Sequence, residues 1–305
     1  MDAPHADEDA GPAGFRCGTV AIIGRPNVGK STLLNRLVGA RVSITSRKPQ
    51  TTRHAIRGIL TRPDAQFIFI DTPGFQTRHG GALNQSLNAR VQSSIGEADV
   101  CVLMVAAGTV SAQDRRVWAL LEGCPQRVVV VNKIDEAAAR RSLLPFLKEA
   151  AAAFPATDIV PVSARSGDNI EQLLKVLAAR LPQQPALYPE DEVTDRDERF
   201  LAAELIREKL FRSLGEEVPY GSMVTVERFQ TEGRLRRIHC VIYVDRPGHK
   251  AIVLGEDGER LKAIASAARR DMEALFDGKV YLDVWVKIKT GWSEDRASLR
   301  RFGLA

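Results

Sequence analysis

From residue 18 to residue 180, short apolar runs alternate with longer stretches whose apolar positions recur every three or four residues. The runs at 18–23, 67–70, 100–105, 128–131 and 159–161 are rich in β-branched residues and too short for helices. Such runs predict strands buried on both faces. Helical spacing marks 30–38, 113–121, 137–153 and 170–180. This alternation predicts an α/β domain with a mostly parallel sheet and helices on both faces.

The stretch 181–197, LPQQPALYPEDEVTDRD, combines three prolines with a run of acids. Proline stops a helix and pushes its predecessor to extended geometry, so a linker between domains is expected there. Beyond it the order changes to helix (199–213), strand (222–229), strand (235–245), short helix (249–254), helix (259–276) and strand (279–289). That is a small α+β domain. The expected organisation is a disordered acidic tail (1–16), a first domain (17–185), a linker (186–198), a second domain (199–290) and a C-terminal tail (291–305).

A length of 305 residues suits two such domains, and 44% apolar with 27% charged residues is ordinary for a globular chain. Net charge is +5; residues 196–305 hold 21 Lys and Arg against 18 Asp and Glu, so the excess is shared by both halves and does not name a partner. The four cysteines, Cys17, Cys101, Cys124 and Cys240, form no CxxC pair and read as buried reduced thiols. The acidic start is unlike a signal peptide, and no apolar run reaches the ~18–20 residues of a membrane span. A cytoplasmic protein is expected.

Candidate chemistry lies at the strand ends. Gly24-Arg25-Pro26-Asn27-Val28-Gly29-Lys30-Ser31 fits G-x-x-x-x-G-K-[ST] between a strand and a helix, with Thr32 following. Its glycines let backbone N–H groups face phosphates, and the helix N-terminus favours anions. Lys30 is expected on the β and γ phosphates and Ser31 on Mg²⁺. Asp71-Thr72-Pro73-Gly74 ends the next buried strand: Asp71 suits Mg²⁺ through water, and the Gly74 N–H suits a γ-phosphate. In Asn132-Lys133-Ile134-Asp135, the carboxylate of Asp135 can accept from N1–H and the exocyclic amine of guanine, which selects GTP or GDP over adenine nucleotides. Ser163-Ala164-Arg165 offers a backbone N–H to the guanine O6. The switch threonine must come from 46–53, SRKPQTTR, with Thr52 preferred to Thr51 as a metal ligand. Lys30, Thr52 and Gly74 are thus the candidate catalytic residues, and Ser31, Thr52 and Asp71 the metal set. After DTPG stands Phe75, where Ras-like proteins place a water-orienting glutamine; Gln76 is one residue late, so slow intrinsic hydrolysis is expected.

Gly255-Glu256-Asp257-Gly258 lies between two predicted helices, where KH domains carry a GxxG loop that clamps an RNA backbone. The order helix–strand–strand–helix–GxxG–helix–strand matches the type II KH arrangement. Lys250, Arg260 and Lys262 would supply a cationic rim, and Ile242, Val253 and Ile264 apolar contacts for bases. The acidic pair Glu256 and Asp257 implies contact through backbone N–H groups.

Together these segments resemble the bacterial Era GTPases: GRPNVGKSTLLNRLVG, KPQTTR, DTPGF, NKID, the linker YPEDEVTDR running into RFLAAELIREKLF, then GERLKAIASAARRDMEALF and VYLDVWVKIKTGW. The resemblance covers about residues 17–303. It implies a P-loop GTPase domain and a type II KH domain, with Mg²⁺-dependent hydrolysis of GTP to GDP and phosphate. It further implies binding to the 3′ region of small-subunit ribosomal RNA, assistance in assembly of the 30S subunit, and peripheral association with the membrane. No obligate protein partner is expected. Asn27 stands where some related GTPases help hold K⁺ beside the phosphates.

Overall fold

The computed structural model describes residues 14–46, 48–75, 80–155, 157–215 and 217–304. They form two compact units, each drawn from several stretches of chain. The first takes in the chain up to Ala40, Ile56–Thr72 and Gln92–Asp195; the second takes in Arg41–Ala55, Pro73–Val91 and the chain from Arg196 onward.

Six strands build the first unit: β1 (Arg16–Ile23), β2 (Ile56–Thr61), β3 (Ala65–Asp71), β4 (Val100–Ala106), β5 (Gln126–Asn132) and β6 (Asp158–Pro161), in the order β2-β3-β1-β4-β5-β6. β2 runs antiparallel to β3 and every other pairing is parallel. Val100–Val105 and Val128–Val131 are at most 1% exposed, as expected of strands covered on both faces. α1 (Lys30–Val38) covers the sheet with Leu33, Leu34, Leu37 and Val38. α5 (Ile170–Ala178) buries Ile170, Leu173, Leu174 and Leu177. α2 (Ala82–Gly96), α3 (Ala112–Leu120) and α4 (Ala137–Ala153) complete the helices before residue 180. Parallel pairing sets the carboxyl ends of β1, β3, β5 and β6 along one edge, where α/β sheets bind ligands.

The proline-rich stretch packs on this first unit. Gln66 is fully buried; its Nε2 donates to the Tyr188 carbonyl at 2.8 Å, and its Oε1 accepts from the N–H groups of Leu187 (2.8 Å) and Tyr188 (3.0 Å). Further along, the Ile59 N–H donates to the Val193 carbonyl at 3.0 Å and Thr194 Oγ1 to the Arg57 carbonyl at 2.7 Å.

In the second unit, α6 (Glu198–Ser213) starts at Asp197, whose carboxylate caps the Phe200 N–H at 2.8 Å. The short α7 (Glu217–Tyr220) leads to β7 (Ser222–Glu232), β8 (Leu235–Val244), α8 (Pro247–Leu254), a 3₁₀ turn at Glu256–Gly258, α9 (Glu259–Leu275) and β9 (Lys279–Ile288). β7 and β8 are antiparallel, β8 and β9 parallel, and β9 forms an edge. One core joins α6, α9 and the inward side of this sheet, including Ile206, Leu210, Ile242, Ile264, Ala268 and Met272.

The elements absent from the sequence expectation are β2, α2, the four-residue α7 and a last helix after residue 290. β2, interrupted by Gly58, has no strand signal of its own and is held by pairing to β3. α2 is largely polar and buries Leu83, Leu87 and Val91, with Ile95 half-buried. The segment after residue 290, expected as a tail, carries α10 (Arg296–Arg301), capped by Asp295 on the Ser298 N–H at 2.9 Å. There Trp292, Leu299, Phe302 and Leu304 pack with Leu83, Leu87 and Met223. The acidic tail up to residue 13 lies outside the described residues, as does Gln76. Among the described residues, no helix is long and apolar enough to cross a membrane.

Candidate functional site

Residues Gly24 to Thr32 form one continuous turn from β1 into α1. Asn27 (φ 64°) and Gly29 (φ 104°) both take left-handed backbone conformations, which turn successive N–H groups toward one side. A Cβ on Gly29 would lie 2.4 Å from Asn132 Nδ2, so only glycine fits. Lys30 opens α1 with its side chain buried, and Nζ donates to the carbonyls of Gly24 and Arg25, both at 3.2 Å. Burial pushes its ammonium down to about 8, opposed by the nearby Asp71 carboxylate and reinforced by Arg25. The Ser31 hydroxyl donates to Asp71 Oδ2 at 2.6 Å. Thr72 Oγ1 donates to the Ile22 carbonyl at 2.8 Å, tying the end of β3 to β1. Arg25 Nε donates to Asp114 at 3.1 Å, and Asp114 also completes the capping box of α3 with Ser111.

The Asn132 side chain joins three loops. Its Nδ2 donates to the Val28 carbonyl at 2.8 Å, and its Oδ1 accepts from the Ala164 N–H at 2.9 Å. The phosphate loop, the end of β5 and the loop after β6 are thereby held together. Lys133 has a left-handed φ of 68°, and the Ile134 N–H donates to the Val162 carbonyl at 3.4 Å. Asp135 accepts from the Ser163 hydroxyl at 2.7 Å. A carboxylate has about four acceptor positions, so this bond orients Asp135 without exhausting it. From α1, Arg36 donates to the carbonyls of Ala164 (3.2 Å) and Arg165 (2.5 Å). Neither the Asn132 brace nor the Arg36 clamp was visible in sequence spacing, because their partners are backbone atoms far away along the chain.

Thr52, Pro73, Gly74 and Phe75 belong to the stretches that build into the second unit. Thr51 Oγ1 donates to the Lys48 carbonyl at 2.8 Å, and Thr51 and Thr52 are both buried. Arg53 is fully buried. It donates to the carbonyls of Ser222 (2.6 Å), Tyr220 (2.9 Å) and Pro219 (3.1 Å), and its guanidinium lies 5.8 Å from the Phe211 ring and 5.6 Å from that of Trp292. Burial, with Arg207 adding to it and Glu204 and Tyr220 opposing, pushes it down to about 9. Arg41 pairs with Glu208 and with Asp271 (2.6 Å).

At the second candidate site, α8 ends at Gly255 (φ 73°), Asp257 is left-handed (φ 46°), and Gly258 (φ 79°) begins the 17-residue α9 without a side-chain cap. Its first-turn N–H groups therefore have no side-chain acceptor from the capping position. Exposed Glu256 and Asp257 sit where acids suit a helix start. Lys250 is half-buried and Lys262 is exposed. Arg260 is exposed, with Nη1 donating to the Ile252 carbonyl at 2.5 Å. The apolar contacts expected from sequence are corrected here. Ile242, Val253 and Ile264 are at most 1% exposed and belong to the core, because the helices close over the inward face of the sheet. Ile252, 43% exposed on α8, is the apolar side chain presented near the loop.

Two family models match this chain: one described as a 50S ribosome-binding GTPase over residues 19–133, and one described as a KH domain over residues 217–293. The chain is 53% identical over 290 residues to the GTPase Era of Chromobacterium violaceum, covering 95% of this chain and 98% of that one. It is 51% identical to the GTPase Era of Nitrosomonas eutropha with the same coverage. The crystal structure of a single-substitution variant of Aquifex aeolicus Era bound to GDP.AlF4- is similar at 37% identity and a TM-score of 0.92, over 95% of this chain and 100% of that one. Similar to the same degree, 37% and 0.92, is Era in complex with MgGDPNP and nucleotides 1506–1542 of 16S ribosomal RNA, over 95% of this chain and 99% of that one.

The Asn132 brace makes a stability prediction. Asn132→Ala leaves the Val28 carbonyl and the Ala164 N–H without this partner, at about 1–3 kcal/mol each. In thermal denaturation without nucleotide, the first unit should melt roughly 5–15 °C lower. Asn132→Asp should be no better, since a carboxylate would face the Val28 carbonyl. A shift of less than about 2 °C in either variant would show that the brace carries no stability.

Proposed function

The chain belongs to the Era family of GTPases, and from that premise we propose that it hydrolyses GTP at the turn 24–32 and uses its nucleotide state to govern binding of small-subunit ribosomal RNA. The observation that carries the first half is the Ser31–Asp71 contact of 2.6 Å beside the buried Lys30. A hydroxyl and a carboxylate, both hard oxygen donors, fit Mg²⁺. Ser31 would hold it directly and Asp71 through water, with Thr52 the further ligand on sequence grounds. Bound there with the phosphates, Mg²⁺ supplies neutralisation of charge on their oxygens.

The roles of the chain's own groups follow. The N–H groups of 27–32 bind and orient the phosphates, and Lys30 exchanges its two carbonyl acceptors for phosphate oxygens, which favours its charged form. The Gly74 N–H meets the γ-phosphate. Asp135, oriented by Ser163, reads guanine, with a smaller share from Asn132 and Lys133, and Asn132 also positions the loops. Phe75 leaves no glutamine directly after DTPG, so the attacking water must be ordered by other means and intrinsic hydrolysis is slow.

The RNA half is supported by the uncapped start of α9, the GxxG turn and its rim of Lys250, Arg260 and Lys262, together with the rRNA complex of an Era relative. The stretches 41–55 and 73–91, which carry the switch threonine and Gly74, build into the unit that carries this turn. That shared chain is the physical basis for linking nucleotide to RNA. The work assigned is assembly of the 30S subunit in the cytoplasm, in keeping with four buried free cysteines.

Three measurements test the reading. Asp135→Asn should turn preference from GTP to xanthosine triphosphate, whose carbonyl accepts from an amide. A site built on such bonds rejects the wrong analogue by about 10⁴-fold, and a variant that still prefers GTP would falsify the assignment. If Asn27 helps hold K⁺, hydrolysis should be faster in K⁺ than in Na⁺ at equal ionic strength, and Asn27→Ala should erase the difference; equal rates in the two salts would exclude the cation. Gly258→Asp should abolish most RNA binding measured by filter retention. A Cβ there meets nothing within 4 Å, but the left-handed φ of 79° strains any side chain, so circular dichroism must first show the variant folded; unchanged affinity in the folded variant would mean the loop does not grip RNA.

A further inference from the structure

The three-stranded sheet of the second unit has two unlike faces. On β8, Ile238, Cys240, Ile242 and Val244 are fully buried against the helices, and on β9 Val280 and Val286 belong to the same core at 4% and 8% exposure. The alternate positions therefore face outward. Register pairs Arg237 with Tyr281, His239 with Asp283 and Tyr243 with Lys287 across that outward face. Tyr281 is 50% exposed and Trp285 62%, whereas Trp292 is fully buried. Trp285 pairs with Val241, which is 3% exposed on this same face, yet most of the indole ring stays in water, as does half of Tyr281.

The rings are preset. Trp285 Nε1 donates to Asp283 Oδ2 at 2.8 Å, and the same oxygen lies 3.3 Å from His239 Nδ1. The hydrogen bond to Asp283, the carboxylate between the rings, fixes the indole plane. The Arg237 guanidinium lies 5.7 Å from the Tyr281 ring. Along β9 the two aromatics are four residues apart, about 13 Å, so each can address a different base and they make no continuous apolar patch of the kind protein partners need. Exposed rings on a sheet, interleaved with Arg and Lys, match the chemistry of single-strand stacking platforms.

We propose that this outward face is a second RNA surface, on which Tyr281 and Trp285 stack bases of a single-stranded segment while Arg237 and Lys287 meet its phosphates. It extends the RNA-binding reading above and depends on it. α8 and α9, which flank the GxxG turn, pack on the other side of the sheet, and among the described residues β9, at the sheet edge, pairs with β8 alone. A strand gripped at the turn reaches the rings by passing over that edge.

The test uses the full-length protein and a labelled RNA carrying the 3′ end of small-subunit rRNA, read by fluorescence polarisation. Trp285→Ala and Tyr281→Ala should each weaken binding about tenfold, and Trp285→Phe should stay within about threefold of the parent. RNA should quench tryptophan emission in the parent protein and much less in Trp285→Phe. GTP hydrolysis without RNA should be unchanged in all three. If both alanine variants bind as the parent does while Gly258→Asp loses binding, the loop reading stands and the sheet-face proposal falls. If Gly258→Asp also binds normally, RNA binding by this domain falls with it. Unchanged RNA affinity with lost co-sedimentation on 30S subunits would make the face a protein-docking surface and equally overturn the proposal.

Discussion

One buried amide sets the geometry of the first unit. The Asn132 side chain bonds the phosphate loop through the Val28 carbonyl and the loop after β6 through the Ala164 N–H. Both loops leave the sheet at the same edge, but nothing in their own backbones fixes their spacing. An amide that donates and accepts at once can bridge a carbonyl and an N–H; no apolar side chain of that volume could. With Gly29 leaving 2.4 Å to Nδ2 for an absent Cβ, the close approach needs both residues. The loops after β1, β5 and β6 are held in one arrangement by the same contact.

A second constraint acts through chain continuity. Arg41–Ala55 and Pro73–Val91 interrupt the first unit in sequence but pack in the second. Arg53 anchors the first of these stretches by three backbone carbonyls and two aromatic rings, and Leu83 and Leu87 anchor the other against Trp292, Leu299 and Phe302. A fully buried guanidinium is costly to leave unpaired, so Arg53 holds its stretch in place. Any rearrangement of Thr52 must move against that anchor. Covalent connection thus links the two units through residues that sequence order assigns to one domain and packing assigns to the other.

In the second unit, the two faces of one sheet have unlike surroundings. Inward positions are closed by α6 and α9, which removed Ile242, Val253 and Ile264 from any binding role. The loop Gly255–Gly258 gains its reach from left-handed backbone at Gly255, Asp257 and Gly258, and the exposed aromatics stand on the outward side.

Sequence by itself settled the parts that depend on local pattern. Buried strands were legible from runs such as Val128–Val131, helices from three- and four-residue spacing, and the candidate chemistry from short motifs at strand ends, because each is written in neighbouring residues. β2, α2 and α10 were not legible. Gly58 and the polar residues of α2 carry weak local signals, and these elements form because a distant partner, β3 or the Trp292 cluster, stabilises them. Only the tertiary structure decided that Asn132 braces loops, that Thr51 turns its hydroxyl to Lys48, that residues 291–304 are packed, and which apolar side chains of the second domain remain exposed. Each of those depends on atoms that sequence separates widely and that folding brings within hydrogen-bond or van der Waals reach.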